Sequence, residues 1–161
     1  GRVAYFLELG SLFVPEGQPD ADLFDFLLQF LEGVETSDAS PLRYLLDEIL
    51  LLRIVGFEPR FDVCPACGQA LRPGEDGVFS PSLGGACHRS CSPSGELASL
   101  TLSPDTLAVV RRGLEVGRDA SHRLRLGKKG VEELRAALSA LVRYVRGEQI
   151  NSLVFLETMG I

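Results

Sequence analysis

The sequence predicts a mostly α-helical fold: a helical bundle with an inserted four-cysteine zinc knuckle or ribbon. Three observations predict it. Apolar residues recur at helical spacing through most of the chain, all four cysteines fall between positions 64 and 91, and that stretch is dense in glycine and proline turns. The 161 residues are enough for one sizeable core. No apolar run approaches the ~18 residues of a membrane span. The expected organisation is a single helical domain over 1–161 with a zinc-binding insertion at 60–92.

The elements follow in order. Residues Val3 to Val14 read as a first helix, with Phe6, Leu9 and Phe13 at helical spacing, broken by Pro15-Glu16-Gly17-Gln18-Pro19. A second helix spans Asp20 to Glu35, with Asp20 or a neighbour as its cap. Asp22, Asp25, Gln29 and Glu32 share one narrow face of it; the remaining arc is apolar and wide enough to pack on two sides or to offer a groove. Thr36 to Ala39 is loop. Ser40-Pro41 is a helix start, and the third helix is apolar nearly all round from Leu42 to Val55, the mark of a central buried helix. Gly56 ends it. Val78-Phe79-Ser80 suits a short strand in a small ribbon around the metal. Ser103-Pro104 starts a helix to about Val116, with Leu107, Val110 and Leu114 inward. Gly117 to Gly130 reads as a basic loop anchored by Leu124 and Leu126. A last long helix from Val131 to Arg146 is expected to stop at Gly147. Asn151 then caps a terminal turn whose Leu153, Val154, Phe155 and Leu156 dock on the core.

The cysteine pattern is Cys64-Pro65-Ala66-Cys67, nineteen residues, then Cys87-His88-Arg89-Ser90-Cys91. Two close pairs across a short loop is the spacing of a structural zinc site, because each turn can aim two sulfurs at one ion. The reading is one structural Zn2+ held by Cys64, Cys67, Cys87 and Cys91. Four thiolates leave no open position for a substrate. His88 could replace Cys87 or Cys91, although four sulfurs already suffice. A disulfide pair is the other possibility, but nothing near the start resembles a secretory signal. A redox CxxC usually opens a helix; here turn residues Pro73 to Gly77 follow. Four cysteines in a metal-like pattern, and no others, suit a reducing cytoplasm.

Net charge is −6 and unevenly placed. Residues 1–62 hold twelve acids against four bases, residues 63–105 four against two, and residues 106–161 six against ten. A polyanionic or acidic partner is therefore expected only for the C-terminal part. The candidate nucleic-acid contacts are Arg111, Arg112, Arg118, Arg123, Arg125, Lys128, Lys129, Arg135, Arg143 and Arg146. The last three fall within an arc of about 80° on a helical wheel, flanking the apolar stripe of the last helix. The bland alternative is a solvated face balanced by Glu132 and Glu133. No Walker loop, dinucleotide fingerprint, GxSxG or HExxH occurs, and the chain has two histidines, so a non-catalytic module is expected.

The order of these features resembles the RecO family of recombination mediators. The resemblance is carried by the Pro-Glu-Gly-Gln-Pro break, the Asp-Leu-Phe-Asp helix, Leu52-Arg53-Ile54-Val55-Gly56-Phe57-Glu58-Pro59 before the knuckle, and Val78-Phe79-Ser80-Pro81 with Gly84-Gly85. Leu102-Ser103-Pro104, Arg143-Tyr144-Val145 and Asn151 to Glu157 extend it over nearly the whole chain. No single motif is specific; their order is. The resemblance implies the part that follows the family's N-terminal OB-fold, with that OB-fold outside this chain. It implies a DNA-repair role without enzymatic activity: binding single- and double-stranded DNA, annealing strands, and loading RecA with RecR and the C-terminal tail of single-strand-binding protein. For that tail an apolar groove with a cation is expected, with Arg43 and Arg53 as candidates, each equally suited to pairing with Asp47 or Glu48. One departure is the three-residue gap of Cys87-x3-Cys91, where the family pattern has two. Two other readings compete: a thiol redox protein using Cys64 and Cys67, and a zinc-ribbon adaptor with protein partners only.

Overall fold

Two serine–proline pairs start the helices that frame the core. In the computed structural model of the chain, which describes residues 2–14, 17, 20–35, 40–94 and 100–159, α1 spans Arg2–Phe13, α2 Ala21–Glu35 and α3 Pro41–Ile54. The expected loop at 36–39 and four residues of the Pro15–Pro19 break (15, 16, 18 and 19) lie outside the described residues. Asp20 does cap α2, its Oδ1 accepting the N–H of Leu23 at 3.1 Å. Ser40 caps α3, accepting from the N–H of Arg43 at 3.3 Å, with Pro41 at the first helical position. Gly56 closes α3 in the left-handed conformation (φ 93°). Its N–H reaches the Arg53 carbonyl and that of Phe57 reaches the Leu52 carbonyl, the paired bonds of a Schellman end.

Helix α3 is central. Leu42, Leu45, Leu46, Ile49, Leu51 and Leu52 are buried, and α2, α4 and α5 pack around it. Two buried acids accompany them. Asp47 is ion-paired with Arg118 at 3.2 Å, and Glu48 accepts the Tyr5 hydroxyl at 2.7 Å. Burial raises both carboxyls; Arg118 and Arg43 partly offset this at Asp47, and Tyr5 and Arg135 at Glu48. Arg53 pairs with neither acid: it binds Glu58 at 2.6 Å. Helix α2 buries Leu23, Phe26 and Phe30 and leaves Phe24, Leu28 and Leu31 exposed, so its wide apolar arc packs on one side and forms an open stripe on the other.

The C-terminal half differs from expectation in its breaks. In α4, Pro104–Ala120, the first helical run ends at Val116 as expected, because Gly117 is non-helical (φ 75°, ψ −179°); what was not expected is the further helical turn to Ala120 and the 3₁₀ turn at Ser121–Arg123. Helix α5 spans Lys128–Met159 without a stop at Gly147 or a separate turn at Asn151. A glycine inside a helix costs about 1 kcal/mol but breaks nothing unless it turns left-handed, as Gly56 does and Gly147 does not. The side chains of residues 153–156, expected on the core, lie outside the described residues. Leu134, Leu138, Leu141 and Val145 of α5 are buried as a stripe. Gly113 lets α4 approach α3: a Cβ there would lie 2.7 Å from Leu46 Cδ1.

Between α3 and α4 lies a three-stranded antiparallel sheet in the order β2-β1-β3, with β1 Gly77–Ser80, β2 Gly85–Cys87 and β3 Thr101–Leu102. The third strand is not signalled in the sequence, being two residues long. Phe61, Leu71, Phe79 and Ala86 of this segment belong to the same buried cluster as the helices.

Helix α5 is tied to the start of α4 by Glu133. Its Oε2 accepts the Ser103 N–H and hydroxyl at 2.9 Å each and the Thr106 hydroxyl at 2.7 Å. Glu133 is thus an internal clamp as well as the expected counter-charge: its Oε1 lies 3.8 Å from the ammonium of the exposed Lys129. Burial opposes its ionisation, but these donors and Lys129 outweigh burial and hold the carboxyl below its usual range. Glu133→Gln should destabilise the protein by about 2 kcal/mol near neutral pH, the scale of hydrogen bonds to a charged group. A depressed carboxyl contributes fully above the unfolded value of about 4.3 and loses its contribution as pH falls through the folded one. Urea unfolding should therefore show the gap between wild type and variant closing in acid.

Candidate metal centre

The first knuckle is built by backbone hydrogen bonds. The Gly68 N–H bonds the Cys64 carbonyl at 2.8 Å, and the Cys64 N–H bonds the Gln69 carbonyl at 2.9 Å. Gly68 is left-handed (φ 74°), and Val63 and Ala70 form an antiparallel bridge that closes the turn. The second knuckle is the 3₁₀ turn Arg89–Cys91, closed by the Cys91 N–H on the His88 carbonyl at 2.9 Å. An Arg89–Asp76 ion pair at 2.6 Å holds this turn to the preceding loop.

The residues that converge are Cys64, Cys67, His88 and Cys91, whose ligand atoms all lie within 4.8 Å of one another. This corrects the expected ligand set: Cys87 is not in the cluster and His88 takes its place. Cys87 is the last residue of β2, paired with Val78, and its side chain is fully buried in the core with the sulfur 3.8 Å from the Gly85 carbonyl. Successive side chains on an extended strand point to opposite sides, so packing Cys87 inward sends His88 towards the thiols. His88 Nδ1 lies 3.4 Å from Cys67 Sγ and 4.0 Å from Cys91 Sγ, while Nε2 lies 3.2 Å from the Ala70 carbonyl. A carbonyl can only accept, so Nε2 carries the proton and the Nδ1 lone pair faces the sulfurs. That is the outer-shell bond by which ligating histidines are oriented. The sequence carried a signal for this: His88-x2-Cys91 has the two-residue gap that Cys87-x3-Cys91 lacks.

Three sulfurs and an imidazole nitrogen are the donor set of a closed tetrahedral zinc site. The local field prepares it. Burial disfavours a thiolate at Cys64, but backbone N–H groups of Cys67, His88 and Ala66 outweigh burial and lower its thiol to about 6. Cys91 is pushed up, by desolvation first and then by the neighbouring Cys67 and Cys64 sulfurs. A divalent cation would relieve that repulsion, as metal-bound thiols are deprotonated outright. The residues fit a structural zinc ion and leave no position for substrate.

The candidate nucleic-acid residues separate into two groups. Arg118 is withdrawn from the surface, its side chain only 15% exposed against Asp47, and Arg111 donates from Nε to the Phe61 carbonyl at 2.7 Å. Both serve internal contacts instead of an outer face. Arg112, Arg123, Arg125, Lys128, Lys129, Arg135, Arg143 and Arg146 are exposed. Arg112 sits 3.3 Å from Glu115, and Arg125 folds back on the His122 carbonyl at 2.6 Å. Arg125, Lys128 and Arg135 line one cleft of about 470 Å³ together with Leu42, Leu124 and Val131.

Fold and site together define a helical module that wraps a buried central helix and carries, in an inserted ribbon, a Cys3His cluster that could hold a metal ion. The family model "Recombination protein O C terminal" matches residues 2–153. Curated relatives named DNA repair protein RecO include that of Anaeromyxobacter dehalogenans strain 2CP-C, 33% identical over 164 residues, covering 99% of this chain and 63% of the relative. That of Syntrophus aciditrophicus strain SB is 28% identical over 155 residues, covering 96% of this chain and 60% of the relative. That of Symbiobacterium thermophilum is 32% identical over 158 residues, 96% of this chain and 62% of the relative. The chain belongs to the RecO family of DNA repair proteins, in the part described by its C-terminal model. It spans about 63% of the length of the first of these relatives. No solved structure matches it. Among the described residues no helix is long and apolar enough to cross a membrane.

The two ligand sets differ in one measurable way. His88→Ala should lose tight zinc binding and loosen the segment from 60 to 92, because structural zinc supplies roughly 10–16 kcal/mol of apparent binding free energy in small zinc folds. Cys87→Ser should keep one zinc per chain and lower only the melting temperature, since it changes a buried thiol in the core. Elemental analysis with a thermal melt checks both, and zinc lost by Cys87→Ser but kept by His88→Ala would restore the four-thiolate set.

Proposed function

We propose that this chain is the helical, metal-bearing part of a recombination mediator, a cytoplasmic binding module without catalytic activity, acting as one folded unit. The observation that carries the DNA-contact part of this reading is the clustering of exposed cations. Lys128, Lys129, Arg135, Arg143 and Arg146 are exposed along α5, and Arg123 and Arg125 are exposed on the turn before it. Guanidinium and ammonium groups on one side of a docked helix bind phosphate without reading sequence. Such a surface suits single- and double-stranded DNA and the annealing of strands. In the intact protein RecR and RecA loading would complete the activity. The thiol redox alternative is poorly served: Cys64, whose thiol is lowered, has no exposed surface, and an attacking thiolate needs access.

Changing Lys128, Lys129 and Arg135 together to glutamate should weaken DNA binding and annealing by the intact protein while leaving its melt unchanged. Each lost phosphate contact should flatten the log–log salt dependence by about 0.7 on single strands. Unchanged affinity and slope would return this face to plain solvation.

The cleft beneath Arg125, Lys128 and Arg135 is where we place the acidic tail of a single-strand-binding protein. Its lining joins apolar side chains, Pro41, Leu42, Leu124, Leu126 and Val131, to three cations and one acid, Glu132, and that excess of cations suits an apolar terminus with a carboxylate. Arg43 and Arg53, the earlier candidates, do not line it. Calorimetry on the intact protein should show a tail peptide binding about tenfold more weakly when its terminal carboxylate is amidated, the scale of one charge-assisted contact.

A further inference from the structure

A second cleft, of about 530 Å³, lies between the end of α3, residues 58–62 and α4. It shares no lining residue with the cleft beneath Arg125, Lys128 and Arg135. Three arginines line it, and so do three acids. The acids are all engaged: Glu58 by Arg53 at 2.6 Å, Asp62 by Arg60 at 3.7 Å, and Glu115 by Arg112 at 3.3 Å, the last from outside the cleft. Arg111 is left over. Among the described residues no carboxylate lies within ion-pair distance of it; its Nε donates to the Phe61 carbonyl, and its Nη2 is buried with no hydrogen-bond partner. A cation partly withdrawn from water with one neutral acceptor is costly, and an anion that reached it would offset that cost.

We propose that this cleft is a site for a singly charged carboxylate carrying a compact apolar group, held by the Arg111 guanidinium. The planar fork of arginine matches a carboxylate in two parallel bonds. Glu58, Asp62 and Glu115 are each paired with an arginine, so Arg111 leaves the cleft one unmatched positive charge: one negative group is matched, whereas a phosphate dianion or a nucleic-acid backbone brings more charge than that. Phe61, Pro59 and Leu114 supply apolar wall. The volume falls within the range of small-ligand pockets, roughly 300–1,000 Å³. This inference is independent of the DNA and tail readings above and separates Arg111 from the exposed cations of α5.

The test uses the intact protein, zinc-loaded, with benzoate, benzamide and phenyl phosphate as probes, and follows the Arg111 Nε–H signal by NMR. Benzoate should shift that signal saturably; benzamide, its neutral isostere, and phenyl phosphate should not. Arg111→Lys should weaken benzoate binding about tenfold, the loss of one charge-assisted contact. Glu58→Gln, which frees Arg53 in the same cleft without touching Arg111, should tighten it, and this variant keeps the proposal testable if Arg111→Lys folds poorly. A short peptide with a free and an amidated C-terminus then separates the sources: response to the free form alone names a chain terminus, response to neither names a small molecule. No benzoate shift at tens of millimolar, an equal shift with benzamide, a stronger one with phenyl phosphate, or weaker benzoate binding in Glu58→Gln would overturn the proposal.

Discussion

Helix α3 carries apolar side chains on so many sides that no single neighbour can bury it. Ile49, Leu51 and Leu52 have no exposed surface, and three other helices are needed to achieve that. Burying all sides also buries Asp47 and Glu48, which must then find partners in other elements. Glu48 takes the Tyr5 hydroxyl from α1, which in turn pushes the Tyr5 pKa well up, by burial first and then by the carboxylate. Asp47 takes Arg118, the residue directly after the left-handed Gly117. A straight α4 would carry position 118 elsewhere on its cylinder; the kink is what brings the guanidinium to α3. A substitution at Gly117 would strain φ 75° and loosen the only charged partner that Asp47 has within ion-pair distance among the described residues.

The metal knuckle is built into this core and not hung from it. Cys64 of the first knuckle and Cys87 beside the second belong to the buried cluster, and the Phe61 and Phe79 rings lie 5.9 Å apart beneath them. The parallel bridge of Arg60 with Gly85 brings backbone so close that a Cβ at Gly85 would meet the Arg60 carbonyl at 2.7 Å. The cluster and the helix packing therefore share Cys64. An ion held there would order Cys64 and His88 together, and its binding free energy would then add to the folding of this segment.

Helix existence was legible because periodicity and serine–proline starts are local signals. Ser40-Pro41, Ser103-Pro104 and the Gly56 end all behave as their chemistry dictates. The break at Gly117 was legible and the run of α5 past Gly147 was not, because glycine stops a helix only where tertiary contacts favour a positive φ; the two look alike in sequence and differ in φ. The ligand exchange between Cys87 and His88 was half legible. Spacing pointed to His88-x2-Cys91, but thiolate preference outweighed it, and only the strand register shows which side Cys87 faces. The internal partners of Arg118 and Glu133 were missed for the same reason: a charged residue on a helix gives no local sign that a partner waits across the core.

Arg118 and Glu133 carry opposite signs, so setting them aside leaves residues 106–161 with nine bases against five acids and the same net charge; the outer surface is polarised by where its charges sit. Asp22, Asp25 and Glu32 stand exposed on α2, beside the open apolar stripe of Phe24, Leu28 and Leu31. Seven exposed cations, Arg123, Arg125, Lys128, Lys129, Arg135, Arg143 and Arg146, sit on α5 and the turn before it. Neighbouring like charges add over a Debye length of about 8 Å at physiological salt, so each face presents its own sign to an approaching polymer. On the proposed reading a phosphate backbone would be drawn to the cations of α5 and repelled by the acids of α2. The polarity would then orient the encounter as well as attract it. The apolar stripe of α2, beside those acids, would stay clear of nucleic acid.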